Sequence, residues 1–232
     1  VKKRKHLSLI LIFIGMVFLL KNPIQTHLIK QVAVANPIDI YTTEIFEENK
    51  QRSAQFDFDQ TRPVTWESVV ESHQKRTDLP VIGGLTIPSL KLQLPILNGL
   101  AEENLVAGAG TMTPTQELGQ ANYSLVSHNY AKTGILFSDL QYMSAGDLVY
   151  LTDLKDIYIY QVDTVEMVSP DRVDVIAEVP GEKLLTLITC SDDILNRWVS
   201  QGHLKEVVSF ENASDDLLDI LDVEKAAAPL SE

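Results

Sequence analysis

Cys190 is the only thiol in the chain, and it closes the run Leu184-Leu185-Thr186-Leu187-Ile188-Thr189-Cys190. Arg197 follows seven residues later. His128 closes a second apolar run, Tyr123-Ser124-Leu125-Val126-Ser127-His128. A thiol, an imidazole and a guanidinium are a nucleophile, a proton carrier and a partner for a developing oxyanion. Together they are the parts needed for acyl transfer. Each has a plainer reading. A lone cysteine is often a small buried hydrophobe, a lone histidine is often structural, and Arg197 could pair with Asp192 or Asp193 at the surface. Three features favour chemistry at Cys190. It ends its strand, Thr186 and Thr189 make the run less purely apolar, and polar Ser191-Asp192-Asp193 follow at once. Of the other histidines, His6 and His27 flank an apolar segment, His73 lies in a polar region, and His203 sits in Gln201-Gly202-His203, which reads as a turn.

These residues need strands to hold them. Residues 84–88 and 92–97 are short strand candidates carrying Pro88 and Pro95, which suits edges or bends. Residues 102–106 suggest a helical turn leading to Gly108-Ala109-Gly110-Thr111. Residues 122–127 alternate weakly, 147–152 and 157–168 are rich in β-branched and aromatic residues with a turn at 153–156, and 184–189 and 204–210 are the last two strand candidates. About eight strands with little helix between them predict a closed or partly closed β-barrel over residues 81–210. Before it, residues 25–80 read as an extracellular linker with N-terminal helices, polar and helical over 37–80, either a stalk that holds the domain off the membrane or a helix packed on it. Thr42-Thr43-Glu44 is a helix start, and Trp66, Val69 and Val70 mark a second short helix. After the barrel, residues 211–232 read as an acidic tail. Leu217, Leu218, Ile220 and Leu221 offer a small apolar patch there, but a solvated, frayed terminus is the simpler expectation.

Composition narrows the class. The chain has 232 residues, 45% of them hydrophobic, enough for one sizeable domain with appendages. Six Lys/Arg and no acid fall within residues 1–36; the rest carries 13 Lys/Arg against 32 Asp/Glu, a balance of −19. So acidic a body argues against a nucleic-acid partner. One cysteine excludes an internal disulfide and a multi-thiolate zinc site. At the start, Lys2-Lys3-Arg4-Lys5 precedes an uncharged apolar stretch at 7–20, ended by Lys21, Asn22 and Pro23. This predicts that residues 1–24 form a cytoplasmic basic tip and a single-pass signal anchor, with the body outside the membrane. A cleaved signal peptide with a site at Ala33-Val34-Ala35 is the alternative.

Thr186-Leu187-Ile188-Thr189-Cys190 resembles the TLxTC signature of the Gram-positive sortases. His128 and Arg197 fall where that family carries its histidine and arginine. The likeness runs from about Gly83 to Phe210, and the basic N-terminal anchor matches too. It implies an eight-stranded sortase-type β-barrel with short helices and a cysteine transpeptidase of the class A, housekeeping type. Such enzymes cut an LPxTG-like signal between Thr and Gly. They hold the acyl group as a thioester, then pass it to an amine of a lipid II-type cell-wall precursor. By resemblance, Cys190 is the nucleophile, His128 the proton carrier and Arg197 the oxyanion and substrate partner. Val173, Val175 and Ile176 would line the site for the signal's leucine and proline. Val126, Ser127, Ile188 and Thr189 flank the catalytic residues as further contacts. For any one of these, simple core packing is the competing reading. No class C lid pattern is found, since Arg62-Pro63-Val64 lacks it, and 168–183 is too short for a class B insertion. Some class A members bind calcium. Here Glu117 and Glu178 alone match those ligands, too few for six to eight oxygens, so no cofactor and calcium-independent activity are expected. Two other functions fit the same residues: an exported cysteine endopeptidase using water, and a non-catalytic surface binding module.

Overall fold

The computed structural model describes residues 2–34, 36–58, 61–130 and 134–223. Eight strands close into a barrel: β1 (Val81–Ile87), β2 (Leu92–Leu97), β3 (Ala109–Thr111), β4 (Asn122–Val126), β5 (Leu148–Thr152), β6 (Asp156–Val168), β7 (Leu184–Cys190) and β8 (Arg197–Ser209). Their order around the barrel is β1-β2-β3-β4-β7-β8-β6-β5, with β5 pairing back to β1. Two pairs are parallel, β2 with β3 and β4 with β7. A parallel pair cannot be joined by a tight hairpin. The first therefore uses the connection carrying helix α4 (Glu102–Ala107), and the second reaches β7 only after β5 and β6.

The interior is apolar and comes from alternate positions. Tyr123 and Leu125 of β4, Leu185 and Leu187 of β7, and Tyr160 and Val162 of β6 all point into it. Turns form where side chains replace the ladder. Asp153 Oδ1 accepts from the amides of Lys155 and Asp156 at 3.0 and 2.9 Å, closing the β5–β6 hairpin.

The expected turn at 201–203 is instead strand. Gly202 pairs with Val162 on one side and Leu185 on the other, beside a register shift in β6. A Cβ at 202 would collide with the Gln161 carbonyl. The glycine thus marks a close backbone approach at a bulge rather than a reversal of the chain.

Both appendages dock on the barrel. Helix α1 (Lys2–Val34) does not stop at Pro23. Gln25, Ile29 and Val32, spaced i, i+4, i+7, are buried, and Ile29 and Val32 enter the barrel's apolar clusters. That packing offsets the backbone hydrogen bond proline removes. Upstream, Leu11, Ile12, Met16, Leu19, Leu20 and Ile24 are exposed. Among the described residues no helix is long and apolar enough to cross a membrane. Of Ala33-Val34-Ala35, Ala35 lies outside the described residues. Helix α2 (Thr43–Lys50) starts at the Thr42 cap, and α3 (Trp66–Lys75) starts at a capping box between Thr65 and Ser68.

The tail is also ordered as far as Val223. Helix α5 (Asp215–Leu221) is capped by Ser214. Its Leu218 and Leu221, with Val223, pack on Ile38, Tyr150 and Ile157. A frayed terminus is thus replaced by a docked helix, because these apolar side chains find a matching patch. Residues 224–232 lie outside the described part.

Candidate active site

Strand register sets Cys190 opposite Arg197, and contacts beside His128 hold its segment against the end of the strand that bears Cys190. In the parallel β4–β7 pair, Ser124 faces Thr186 and Val126 faces Ile188. Past the end of β4, Thr189 Oγ1 donates to the Ser127 carbonyl and Asn129 Nδ2 donates to the Cys190 carbonyl, so His128 lies between two contacts to the end of β7. In the antiparallel β7–β8 pair, Cys190 is directly opposite Arg197. Residues at one level of neighbouring strands share a face. Since the residues at 185 and 187 point inward, Cys190 and Arg197 lie on the outer face of β7 and β8.

The same face is ordered in rows below them. Val126, Ile188 and Val199 form an apolar row one step down, buried together with Leu100, Leu105, Met112 and Val168. The next row is Ser124, Thr186 and Gln201. Thr186 Oγ1 donates to Asn122 Oδ1 at 2.7 Å, and Gln201 Nε2 donates to Thr186 Oγ1 at 3.0 Å. Asn122 Nδ2 donates to the carbonyls of Val175 and Ala177, both at 3.0 Å, and Gln201 Nε2 reaches the Val175 carbonyl at 3.2 Å. This polar row fastens the β6–β7 loop over the apolar one. The result is a cleft of 280 Å³ lined by Met112, Val168, Val173, Val175, Ile176, Ile188, Val199 and Arg197.

One wall of that cleft comes from outside the barrel. Phe56, Asp57 and Phe58 line it, and the Phe58 ring lies 5.7 Å from the Arg197 guanidinium carbon. The strap is tied to the barrel by the Leu100 amide, which donates to the Gln55 carbonyl at 2.7 Å. Sequence analysis missed Phe58. The Phe56-Asp57-Phe58 run was its only signal, and nothing local says where such a strap lands.

The predicted contacts divide. Val173, Val175, Ile176 and Ile188 line the cleft, and Val126 lies in the apolar row beneath it. Ser127 and Thr189 are buried and turned away from it. Ser127 Oγ donates to the Gly108 carbonyl at 2.7 Å, and Thr189 Oγ1 donates to the Ser127 carbonyl at 2.8 Å. They brace the strand ends instead of meeting a ligand in the cleft. His203 pairs with Asp163 at 2.9 Å on the exposed surface.

Environment sets the chemistry of each group. Burial pushes the His128 imidazole down to about 4, so it is neutral at pH 7. Cys190 is partly exposed. Arg197 does not pair with the neighbouring acids. Its Nη1 donates to the carbonyls of Ile194 and Asn196 at 3.2 and 3.0 Å. Its Nε is buried and has no partner among the described residues. Asp193 instead accepts from the Ser191 hydroxyl and the Leu195 amide, which hold its carboxyl below the usual range. Among the described residues no group of three His, Cys, Asp or Glu could hold a metal ion. Glu117 accepts from Gln120 Nε2 at 2.7 Å.

Comparison with known proteins gives the family. Residues 85–205 match the family model described as the sortase domain. Sortase A of Streptococcus agalactiae is 34% identical over 218 residues, covering 91% of this chain and 88% of its own length. Sortase A of Listeria monocytogenes is 28% identical over 205 residues, covering 88% and 92%. The crystal structure of the Listeria enzyme superposes with a TM-score of 0.56 at 31% identity, over 60% of this chain and 94% of that one. The chain belongs to the sortase family, cysteine transpeptidases that anchor proteins to the cell wall.

Proposed function

We propose that the enzyme cuts an LPxTG-like signal between Thr and Gly and transfers the new carboxyl end to an amine of a lipid II-type precursor. Cys190 is the nucleophile, His128 the proton carrier and Arg197 the oxyanion partner. One observation supports this reading: Cys190 is opposite Arg197, which lines an apolar cleft, and the residues on either side of His128 bond to the end of the same strand β7. The cleft suits the signal's leucine and proline. The buried, unpartnered Arg197 Nε leaves a donor for a carbonyl oxygen gaining charge.

A proton balance follows from the neutral imidazole. As Cys190 Sγ bonds to the threonine carbonyl carbon, its proton passes to His128. The carbon–nitrogen bond to glycine then breaks, and His128 hands that proton to the departing amine. A thioester remains, which conserves the energy of the cleaved amide. In the second half the incoming amine attacks the same carbon. His128 takes the amine's proton and returns it to the leaving thiolate. No net proton is lost, and the peptide bond is exchanged without an external energy source.

Attachment to the membrane belongs to the same proposal. Residues 1–24 act as a signal anchor, supported by Lys2-Lys3-Arg4-Lys5 before the apolar run and by its exposed Leu11, Ile12, Met16, Leu19 and Leu20. Lys21 snorkels, which lets Ile24 extend the apolar length. Activity does not depend on calcium, because Glu117 and Glu178 supply too few oxygens.

The test uses the full chain in detergent with an LPETG-containing peptide and a glycine- or alanine-based amine, read by mass spectrometry. A ligated product cut between Thr and Gly, absent in Cys190→Ala, is expected. Cleavage without ligation would replace transfer by hydrolysis. No cleavage, with Cys190 still labelled by a thiol probe, would sink the signal assignment. Excess chelator is expected to leave the rate unchanged; a large loss would overturn calcium independence.

A further inference from the structure

The parallel ladder between β4 and β7 ends at the level of the site, where side chains continue it. The last backbone rung is the Ser127 amide donating to the Ile188 carbonyl at 3.2 Å. In a regular parallel ladder the next donor on this strand would be the amide of residue 129, and the next acceptor the carbonyl of residue 190. Here Asn129 Nδ2 makes that bond, at 3.0 Å to the Cys190 carbonyl. The same nitrogen donates to Asp192 Oδ1 at 2.8 Å. The backbone is thereby released to turn away: Asn129 bridges to Leu136, and the Phe137 amide donates to the His128 carbonyl at 3.1 Å. From the other side, Thr189 Oγ1 holds the Ser127 carbonyl. His128 thus stands between two side-chain rungs that join its own segment to the strand bearing Cys190.

We propose that Asn129 is a positioning residue that sets the imidazole of His128 against Cys190 and tethers the β7–β8 loop. This rests on the roles proposed above for His128 and Cys190. An amide side chain suits the task because one nitrogen carries two hydrogens. One goes to the strand end that bears the nucleophile. The other goes to a carboxylate of the loop that follows it, a charge-assisted bond and so the stronger of the two. Proton transfer in both halves of the reaction needs the imidazole within hydrogen-bond reach of its partners. The apolar cleft is built from other rows of the sheet, so loss of Asn129 acts on the chemical step and spares peptide binding.

The variants are Asn129→Leu, which keeps the volume without the donors, and Asp192→Ala, which removes only the loop acceptor. Both are made in the full chain. Asn129→Leu is expected to lower kcat roughly 10- to 100-fold, the scale of a displaced reacting group, with KM for the LPETG peptide within about twofold. Iodoacetamide alkylation of Cys190 slows in the same variant, and Asp192→Ala has a smaller effect on both rates. Wild-type kcat in Asn129→Leu would overturn the proposal. So would a loss of kcat matched by an equal loss of folded protein in thermal unfolding. If Asn129→Leu does not fold, unchanged kcat and alkylation in Asp192→Ala overturns the tether, and reduced values support it. If the wild type turns over no LPETG peptide yet Asn129→Leu still slows alkylation, the substrate assignment fails while the positioning role stands.

Discussion

At the scale of the residue, two groups carry separate predictions. Arg197 already spends Nη1 on two carbonyls and keeps Nε without a partner. Lysine keeps the charge but has neither the planar fork nor a second fixed donor. Arg197→Lys should therefore lower kcat by about 10²-fold, the usual cost of an oxyanion donor, measured with the peptide at saturation. His128 makes a prediction about stability. Its imidazole sits at about 4 in the fold against 6.5 in the open chain. As pH falls from 6.5 towards 4, the unfolded chain takes up a proton that the fold resists. The stability due to the neutral histidine is complete above 6.5 and is lost across that window. Urea titrations of the wild type should show this fall between pH 6.5 and 4, and His128→Gln should flatten that part of the profile.

At the scale of the element, the segment before the barrel does two jobs that substitutions can separate. Ile29 of α1 is fully buried against the core. Ile29→Ala should cost about 2–5 kcal/mol of stability, read as a drop in Tm with kcat unchanged in the remaining folded enzyme. Phe58 is a wall of the cleft and covers Arg197. Phe58→Ala should instead raise KM for the peptide roughly 10-fold, the ~1.5 kcal/mol at the low end for an aromatic side chain that is only partly buried, with little change in Tm. Equal effects of both on Tm and none on KM would reduce the strap to packing. Helix α1 also packs on the barrel. Gln25, Ile29 and Val32 make its second half part of the catalytic domain.

At the scale of the whole molecule, charge and apolar surface are segregated. The first 36 residues carry six cations and no acid, while the remainder carries a balance of −19. An acidic body is repelled by anionic lipid, and a basic apolar helix is drawn to it. Full-length protein should therefore float with vesicles containing anionic lipid, and a chain starting at residue 25 should stay in solution. Flotation of the shorter chain would place the membrane contact on the barrel instead. The cut at 25 is chosen because it retains Gln25, Ile29 and Val32 and so keeps the barrel's partner helix.

Much of this protein was legible from residue order alone. The run 184–190, the placement of His128 and Arg197, the eight strands and the helix start at Thr42 are local signals, because strand period, propensity and capping act within a few residues. Other features depended on what the chain meets after folding. Gly202 reads as a turn until the Gln161 carbonyl lies against it. Pro23 ends the apolar run, yet the helix continues past it because Ile29 and Val32 pack on the barrel. The tail reads as solvated until Leu218 and Leu221 reach Ile38 and Ile157. At the site, sequence supplied Cys190, His128 and Arg197 but could not give the register that sets Cys190 opposite Arg197. Nor could it say that Ser127 and Thr189 face away while Phe58 arrives from outside. Side-chain identity follows from the sequence by itself. Which face and which neighbour a side chain has is decided by the register between strands far apart in the chain, and one residue of slip reverses every face.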